Sequence, residues 1–115
     1  MVKYFRLEEF NCTHTNKNEM DSDFLEQLDF LREECGFPFR ITSGYRDATH
    51  PDEARKADPG THNQGIAADI AVSNGKDRMS IVHNAIKLGF GGIGVARTFV
   101  HVDSRKTTPV MWTYS

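Results

Sequence analysis

The run Ala67-Ala68-Asp69-Ile70-Ala71-Val72 carries one carboxylate inside an otherwise apolar segment. Its length and composition predict a buried β-strand. Because side chains alternate along a strand, Asp69 shares one face with Ala67 and Ala71, and the other face is wholly apolar. An ionised carboxylate in such a strand needs a cationic partner or a metal ion, because its desolvation is strongly unfavourable.

Two histidines are placed to meet this carboxylate. His62 lies seven residues before Asp69, and Gly65 between them allows the chain to turn. In the strand predicted at 99–103, two valines mark the core side, so His101 projects from the other face. Two imidazoles and one carboxylate with a fourth position open form the ligand set of a catalytic zinc site. The alternatives are a loop role for His62, an arginine partner for Asp69 and a satisfied sheet histidine at His101.

Two amphipathic helices are predicted beside these strands. The first spans Asp21 to Cys35 and ends at Gly36. Asp23 and Glu26 stand in the spacing of a capping box. The second helix spans about residues 77–88. Its predicted apolar stripe consists of Met79, Val82, Ala85 and Ile86.

Short strands are predicted at 39–43, 67–72, 91–95 and 99–103. Residues 47–65 contain two prolines and two glycines among polar residues, which predicts a long loop of the kind usually kept for function. Helices and strands that follow each other without regular β-α-β alternation indicate an α+β domain with a small antiparallel sheet.

The composition indicates a single globular domain and argues against nucleic-acid binding and membrane spans. The 115 residues suit a single domain, and 38% hydrophobic with 26% charged residues is ordinary for a globular chain. Fourteen basic against sixteen acidic residues leave a net charge of −2, which offers no basic surface for nucleic acid. Apolar runs are far shorter than the ~20 residues of a membrane span, and no signal-peptide pattern opens the chain. Synthesis in the cytoplasm and a monomeric state are expected.

The two cysteines are too few for a disulfide scaffold. Cys12 and Cys35 are therefore expected to be reduced thiols that pack as small apolar side chains. A disulfide, or a small metal site that includes His14, is the alternative.

Three motifs in order resemble a known family: Ser43-Gly44-Tyr45-Arg46, then residues 61–70 (THNQGIAADI), then residues 99–103 (FVHVD). Together they resemble the zinc D-Ala-D-Ala carboxypeptidases and endopeptidases of peptidase family M15. The likeness runs from about Phe10 to Trp112 and is close to the short single-domain members encoded by bacteriophages and bacteria. It implies a fold shared with the hedgehog signalling domain and these peptidases. It also implies that the substrate is the peptide stem of peptidoglycan.

The resemblance also implies roles for individual residues. The implied zinc ligands are His62, Asp69 and His101. Arg46 corresponds to the arginine beside the metal, where a guanidinium can hold a carboxylate or the developing oxyanion. A structural salt bridge is the alternative for Arg46. The candidate substrate-binding residues are Ser43, Tyr45 and His50, of which Ser43 and Tyr45 also suit the scaffold.

One departure from the family pattern affects the mechanism. Several branches place a Glu three residues before the last histidine ligand, or a His two before it, to handle the water proton. Here those positions hold Thr98 and Phe99, and neither is a base. Asp103 shares a strand face with His101, so it is predicted either to serve the attacking water or to fix the ring of a histidine ligand. The lesser candidates are His50 and Glu53 in the long loop.

The resulting hypothesis is a zinc peptidase that hydrolyses amide bonds in peptidoglycan peptides. With no signal peptide, it is expected to act on the wall after release, as a phage endolysin does with a holin, or by delivery in a virion, and a role in the host cytoplasm stays open. The alternative is a non-enzymatic, zinc-stabilised binding or virion structural module, because the hedgehog domain shows that such a fold can outlive its peptidase role.

Overall fold

Helices and strands follow one another without regular alternation, as in the α+β class. The structure is a computed structural model, and it describes residues 2–54 and 60–114. A turn of 3₁₀ helix at Leu7–Phe10 precedes the main elements. These are α1 (Ser22–Cys35), β1 (Ile41–Ser43), α2 (Pro51–Ala54), β2 (Ala67–Ala71), α3 (Gly75–Lys87), β3 (Gly92–Val95), β4 (Phe99–Asp103) and β5 (Val110–Thr113).

Five strands form one open sheet in the order β1-β2-β4-β3-β5. The pairings among β1, β2, β4 and β3 are antiparallel, as predicted. Strand β5 was not predicted, and it pairs with β3 in parallel. The sheet is therefore mostly antiparallel, and the candidate ligands Asp69 and His101 lie on two adjacent interior strands, β2 and β4.

The predicted alternation of inward and outward side chains along β2 and β4 is confirmed. The inward side chains of β2 and β4 belong to one apolar core together with residues of α1 and α3. Those inward residues are Ala68, Ile70, Val100 and Val102. Asp69, His101 and Asp103 therefore project from the opposite face of the sheet, although all three are buried.

The N-cap of helix α1 lies two residues before the predicted capping box. Asp21 is the N-cap, and its side chain accepts a hydrogen bond of 2.9 Å from the backbone nitrogen of Phe24. The helix ends where the sequence indicates, with Gly36 in the left-handed region at φ 75°. The capping box predicted at Asp23 and Glu26 is thus wrong, because Asp21 already satisfies the first turn.

The stripe predicted for α3 is also wrong in part. Ile81 and Ala85 are fully buried, whereas Met79 is 65% and Ile86 59% exposed. The helix carries two overlapping apolar stripes about one residue apart, and the one through Ile81 and Ala85 faces the core. Asn74 is the N-cap of α3, and its side chain accepts a hydrogen bond of 2.7 Å from the backbone nitrogen of Asp77.

Three other expectations concern the long loop, the cysteines and membrane-spanning helices. The loop predicted at 47–65 contains the short helix α2, and residues 55–59 lie outside the described part. Cys12 is buried and Cys35 half-buried, and both are free thiols, so the disulfide alternative is not realised. In the described ranges, no helix has the length and apolar character that crossing a membrane requires.

Candidate metal centre

One row of residues across the sheet carries the candidate site. Asp69 on β2 lies directly opposite His101 on β4, and Ser43 on β1 is paired with Asp69. On the other side, His101 is paired with Gly94 on β3, and Gly94 with Trp112 on β5. Because residues paired in this way share a face, the sheet register alone brings the carboxylate, the imidazole and the indole together.

The loop before β2 supplies the third side chain. His62 is 5% exposed, and the turn that follows it passes through Gly65 at φ 75°. A Cβ on Gly65 would collide with the backbone of Glu19, so the predicted need for glycine here is confirmed. The turn returns His62 to the sheet beside Asp69.

The three donor atoms are spaced as ligands of one ion. His101 Nδ1 lies 3.0 Å from Asp69 Oδ1 and 3.2 Å from His62 Nε2, and His62 Nε2 lies 3.3 Å from the same carboxylate oxygen. Ligands about 2.0–2.1 Å from a tetrahedral zinc ion are separated by about 3.3 Å. Among the described residues, these three form the group that could hold a metal ion.

Each histidine is held through its other ring nitrogen. His62 Nδ1 donates to the backbone carbonyl of Gly44 at 2.8 Å, and His101 Nε2 lies 2.7 Å from Asp103 Oδ2. With a proton on each of these outer nitrogens, the inner nitrogens present lone pairs to each other and to the Asp69 carboxylate. Three electron-pair donors that face one another are stabilised by a shared cation.

The titration behaviour of the group agrees with this description. Burial lowers the pKa of His62, which favours the neutral ring that a metal requires. Burial opposes ionisation of Asp69, but contacts with His101 and His62 outweigh it and lower the pKa of the carboxyl. Burial also acts to lower the pKa of His101, and the Asp103 and Asp69 carboxylates outweigh it and raise that pKa. Without a metal, the neighbouring carboxylates thus favour the protonated form of His101.

Asp103 lies behind His101. It is fully buried, and its two oxygens accept hydrogen bonds from Nε and Nη2 of Arg105 at 2.9 and 2.7 Å. A Cβ on Gly92, its cross-strand neighbour, would stand 2.5 Å from the Asp103 carboxyl carbon. Of the two roles predicted for Asp103, this position favours holding the His101 ring, because the carboxylate contacts the nitrogen that does not face Asp69.

Arg46 reaches the site from the end of β1. Its Nη2 lies 3.5 Å from Asp69 Oδ2, and its Nε donates to Ser43 Oγ at 3.2 Å. The backbone of Arg46 is fixed as well, because Asn63 Nδ2 donates to its carbonyl at 2.8 Å. The guanidinium therefore stands beside the ligand group in a defined orientation, and Ser43 serves to orient it.

The remaining candidates lie farther from the ligands. Tyr45 is 4% exposed and donates a hydrogen bond of 2.9 Å to Glu19, while the ring of His50 packs 6.0 Å from that of His14. Neither Tyr45 nor His50 is among the described residues that line the cleft in front of the ligands. The side chain of Glu53 lies outside the described part.

The cleft has a volume of about 920 Å³ and opens directly onto the three ligands. Its wall includes residues that the sequence did not single out, namely Asp52, Arg105, Trp112 and Tyr114. The Trp112 ring lies 5.0 Å from that of His101, and the Arg105 guanidinium lies 5.1 Å from the indole centroid. The signal for Trp112 and Tyr114 would have been a strand after residue 103, whose alternation puts both on the His101 face.

The fold and the donor set define an α+β protein with a candidate His-Asp-His metal centre at the base of a cleft. The family model described as Peptidase M15 matches residues 3–103, and the chain belongs to this family of peptidases. The family generally depends on zinc, in agreement with the donor set. No curated protein matches the sequence.

Proposed function

We propose that the protein is a zinc peptidase that hydrolyses amide bonds in peptidoglycan peptides. The observation that carries this proposal is the triangle of His62, Asp69 and His101 donor atoms, 3.0–3.3 Å apart, at the base of an open cleft. A structural zinc site is closed by four protein ligands. Three ligands facing a cleft leave a position for water and substrate, as catalysis requires.

The residues around the ligands have different roles in amide hydrolysis. Zinc bound at this site supplies a Lewis acid and a water of lowered pKa. Hydrolysis forms a bond from the water oxygen to the amide carbon, breaks the C–N bond and releases the amine with a proton. Arg46 is placed to hold negative charge that develops on the carbonyl oxygen, because its guanidinium stands beside Asp69. Asp103 acts through His101 as a positioning residue.

The charges of the cleft suit a peptide that carries carboxylates. Among its described lining residues, Arg46, Arg105 and Lys106 are basic, and Asp52 and Asp69 are acidic. Asp69 is a ligand in the zinc form and Arg105 is paired with Asp103, so Arg46 and Lys106 leave the wall of the zinc form positive. Stem peptides of peptidoglycan carry free carboxylates, which agrees with this wall and with the M15 resemblance.

The cellular setting is part of the proposal. We infer an endolysin that reaches the wall after synthesis in the cytoplasm, by way of a holin or in a virion. The rival, a binding or virion structural module without turnover, is favoured by Thr98 and Phe99, which leave the positions of the usual base without one.

Digestion of purified peptidoglycan, followed by mass spectrometry of the soluble products, tests the proposal. The zinc-loaded protein is expected to release peptides with new amino and carboxyl termini, and these identify the bond as D-Ala-D-Ala, L-Ala-D-Glu or a cross-bridge. The protein treated with a chelator, and the His62→Ala variant, are expected to release none. Absence of new termini with a fully zinc-loaded protein would support the binding module instead.

A further inference from the structure

Tyr114 approaches the candidate metal centre from the side of the sheet opposite to Arg46. Arg46 follows β1 and Tyr114 follows β5, the two outer strands, while Asp69 and His101 lie between them on β2 and β4. Both side chains line the same cleft. A substrate seated over the ligands therefore has a guanidinium on one side and a phenol on the other.

Gly94 makes room for this phenol. A Cβ on Gly94 would stand 2.7 Å from the indole nitrogen of Trp112 and 2.8 Å from the Tyr114 ring. Gly94 is the cross-strand partner of His101, so both rings lie over the position directly beside that ligand. The Tyr114 ring also packs against Phe99, with 4.9 Å between centroids. The absence of one side chain thus allows an aromatic wall to reach the ligands.

The hydroxyl of Tyr114 can donate a hydrogen bond into the cleft. The Tyr114 ring packs against that of Trp112, with 6.4 Å between centroids. Burial raises the pKa of Tyr114, so its hydroxyl keeps the proton and can donate it to an acceptor. Tyr114 is 45% exposed, so this acceptor can come from the cleft.

We propose that the Tyr114 hydroxyl contacts the substrate and donates a hydrogen bond to the scissile carbonyl oxygen, on the side of the cleft away from Arg46. This inference rests on the proposed function, since it assigns a second donor to the same reaction. A donor that is already fixed by ring packing costs little reorganisation when negative charge develops on that oxygen. Phe99 and Trp112 have the role of positioning residues, because their rings pack against the Tyr114 ring.

The test compares Tyr114→Phe with Tyr4→Phe. Both remove one hydroxyl and keep the ring, and Tyr4 stacks against Arg32 at α1, away from the cleft. The first measurement is the kcat and KM of the zinc-loaded proteins on a wall peptide. The second is the affinity for a phosphinic dipeptide, a mimic of the tetrahedral intermediate. Binding is followed by fluorescence of Trp112, the single tryptophan of the chain.

We expect Tyr114→Phe to lower kcat by about 10²-fold with little change in KM, as for the loss of one oriented donor to the oxyanion. Its affinity for the phosphinic dipeptide should fall by at least about tenfold, whereas its affinity for the product peptide and its zinc content stay at the wild-type level. Tyr4→Phe should match wild type throughout.

Two results would overturn the inference. One is a Tyr114→Phe variant within about threefold of wild type in both kcat and phosphinic-peptide affinity, which would make Tyr114 a packing residue of the wall. The other is an equal loss of affinity for product and for the phosphinic dipeptide, which would make the hydroxyl a contact of ground-state binding. Failure of the proposed function is recognised separately, because the wild-type protein itself would then show no turnover.

Discussion

His101 Nε2 lies 2.7 Å from Asp103 Oδ2, while Nδ1 of the same ring lies 3.0 Å from Asp69 Oδ1. The imidazole thus joins a buried carboxylate on one side to the candidate ligand group on the other. Arg105 neutralises the far carboxylate through two hydrogen bonds. Asp103 is therefore placed to hold the His101 ring in the candidate metal centre.

The first prediction concerns Asp103→Asn, which keeps the shape of the side chain and removes its charge. Zinc affinity should fall by about 10–100-fold, because the His101 ring loses the charged acceptor that fixes its tautomer. Competition with a fluorescent zinc chelator measures this. Asp23→Asn, at the exposed first turn of α1, is the matched control and should leave the affinity unchanged. Full zinc affinity with at least ~10²-fold lower turnover would instead assign Asp103 to the water proton.

The second prediction perturbs the contact between Asp103 and His101 without replacing either residue. In Gly92→Ala the new Cβ would stand 2.5 Å from the Asp103 carboxyl carbon and must displace it. We expect zinc binding to weaken, as it is expected to do in Asp103→Asn. Gly75→Ala is the control, because its Cβ would meet only the Arg78 side chain at 3.9 Å. A Gly92→Ala protein with wild-type zinc affinity would show that the Asp103 position is not critical.

The third prediction separates substrate chemistry from metal binding at Arg46. Arg46→Lys should lower turnover of a wall peptide by ~10²–10³-fold, since an ammonium cannot reproduce the planar guanidinium that faces the substrate. Zinc content and melting temperature should change little, because Arg46 is no ligand and is 3.5 Å from Asp69. Turnover within about threefold of wild type would assign Arg46 to a structural salt bridge.

The fourth prediction is the pH dependence of zinc binding. The Asp103 and Asp69 carboxylates raise the pKa of His101 above its ordinary value despite burial, so zinc must displace a proton from this ring below that pKa. Between about pH 5 and 8, affinity should therefore fall as pH falls, approaching about tenfold per pH unit for one displaced proton. In Asp103→Asn the fall should begin at a lower pH. An affinity that is flat over this range would contradict the account.

The candidate ligand set could be predicted from the sequence because two of its three members depend on strand alternation. Asp69 is anomalous in an apolar run, and the valines around His101 mark its outward face. Once β2 and β4 are neighbours, the register places the two side chains opposite each other. The loop of His62 needs only the turn at Gly65, which is visible in the sequence as well.

Other features depend on contacts that a pattern does not contain. Met79 and Ile86 fit a helical stripe as well as Ile81 and Ala85 do, and only packing against the sheet selects between them. Strand β5 is short and mostly exposed, and its parallel partner β3 is separated from it in the sequence by β4. The side of the His101 ring that Asp103 contacts is likewise a matter of side-chain rotamers.

Zinc content of the purified protein tests the central claim most directly. After zinc supplementation and dialysis, elemental analysis should find about one zinc per chain in the wild type and in His83→Ala, whose histidine is exposed on α3. The His62→Ala protein should lose nearly all of it, because a three-ligand centre does not survive loss of one ligand. A wild type with less than about half an equivalent, or a His62→Ala variant with unchanged zinc, would contradict the account.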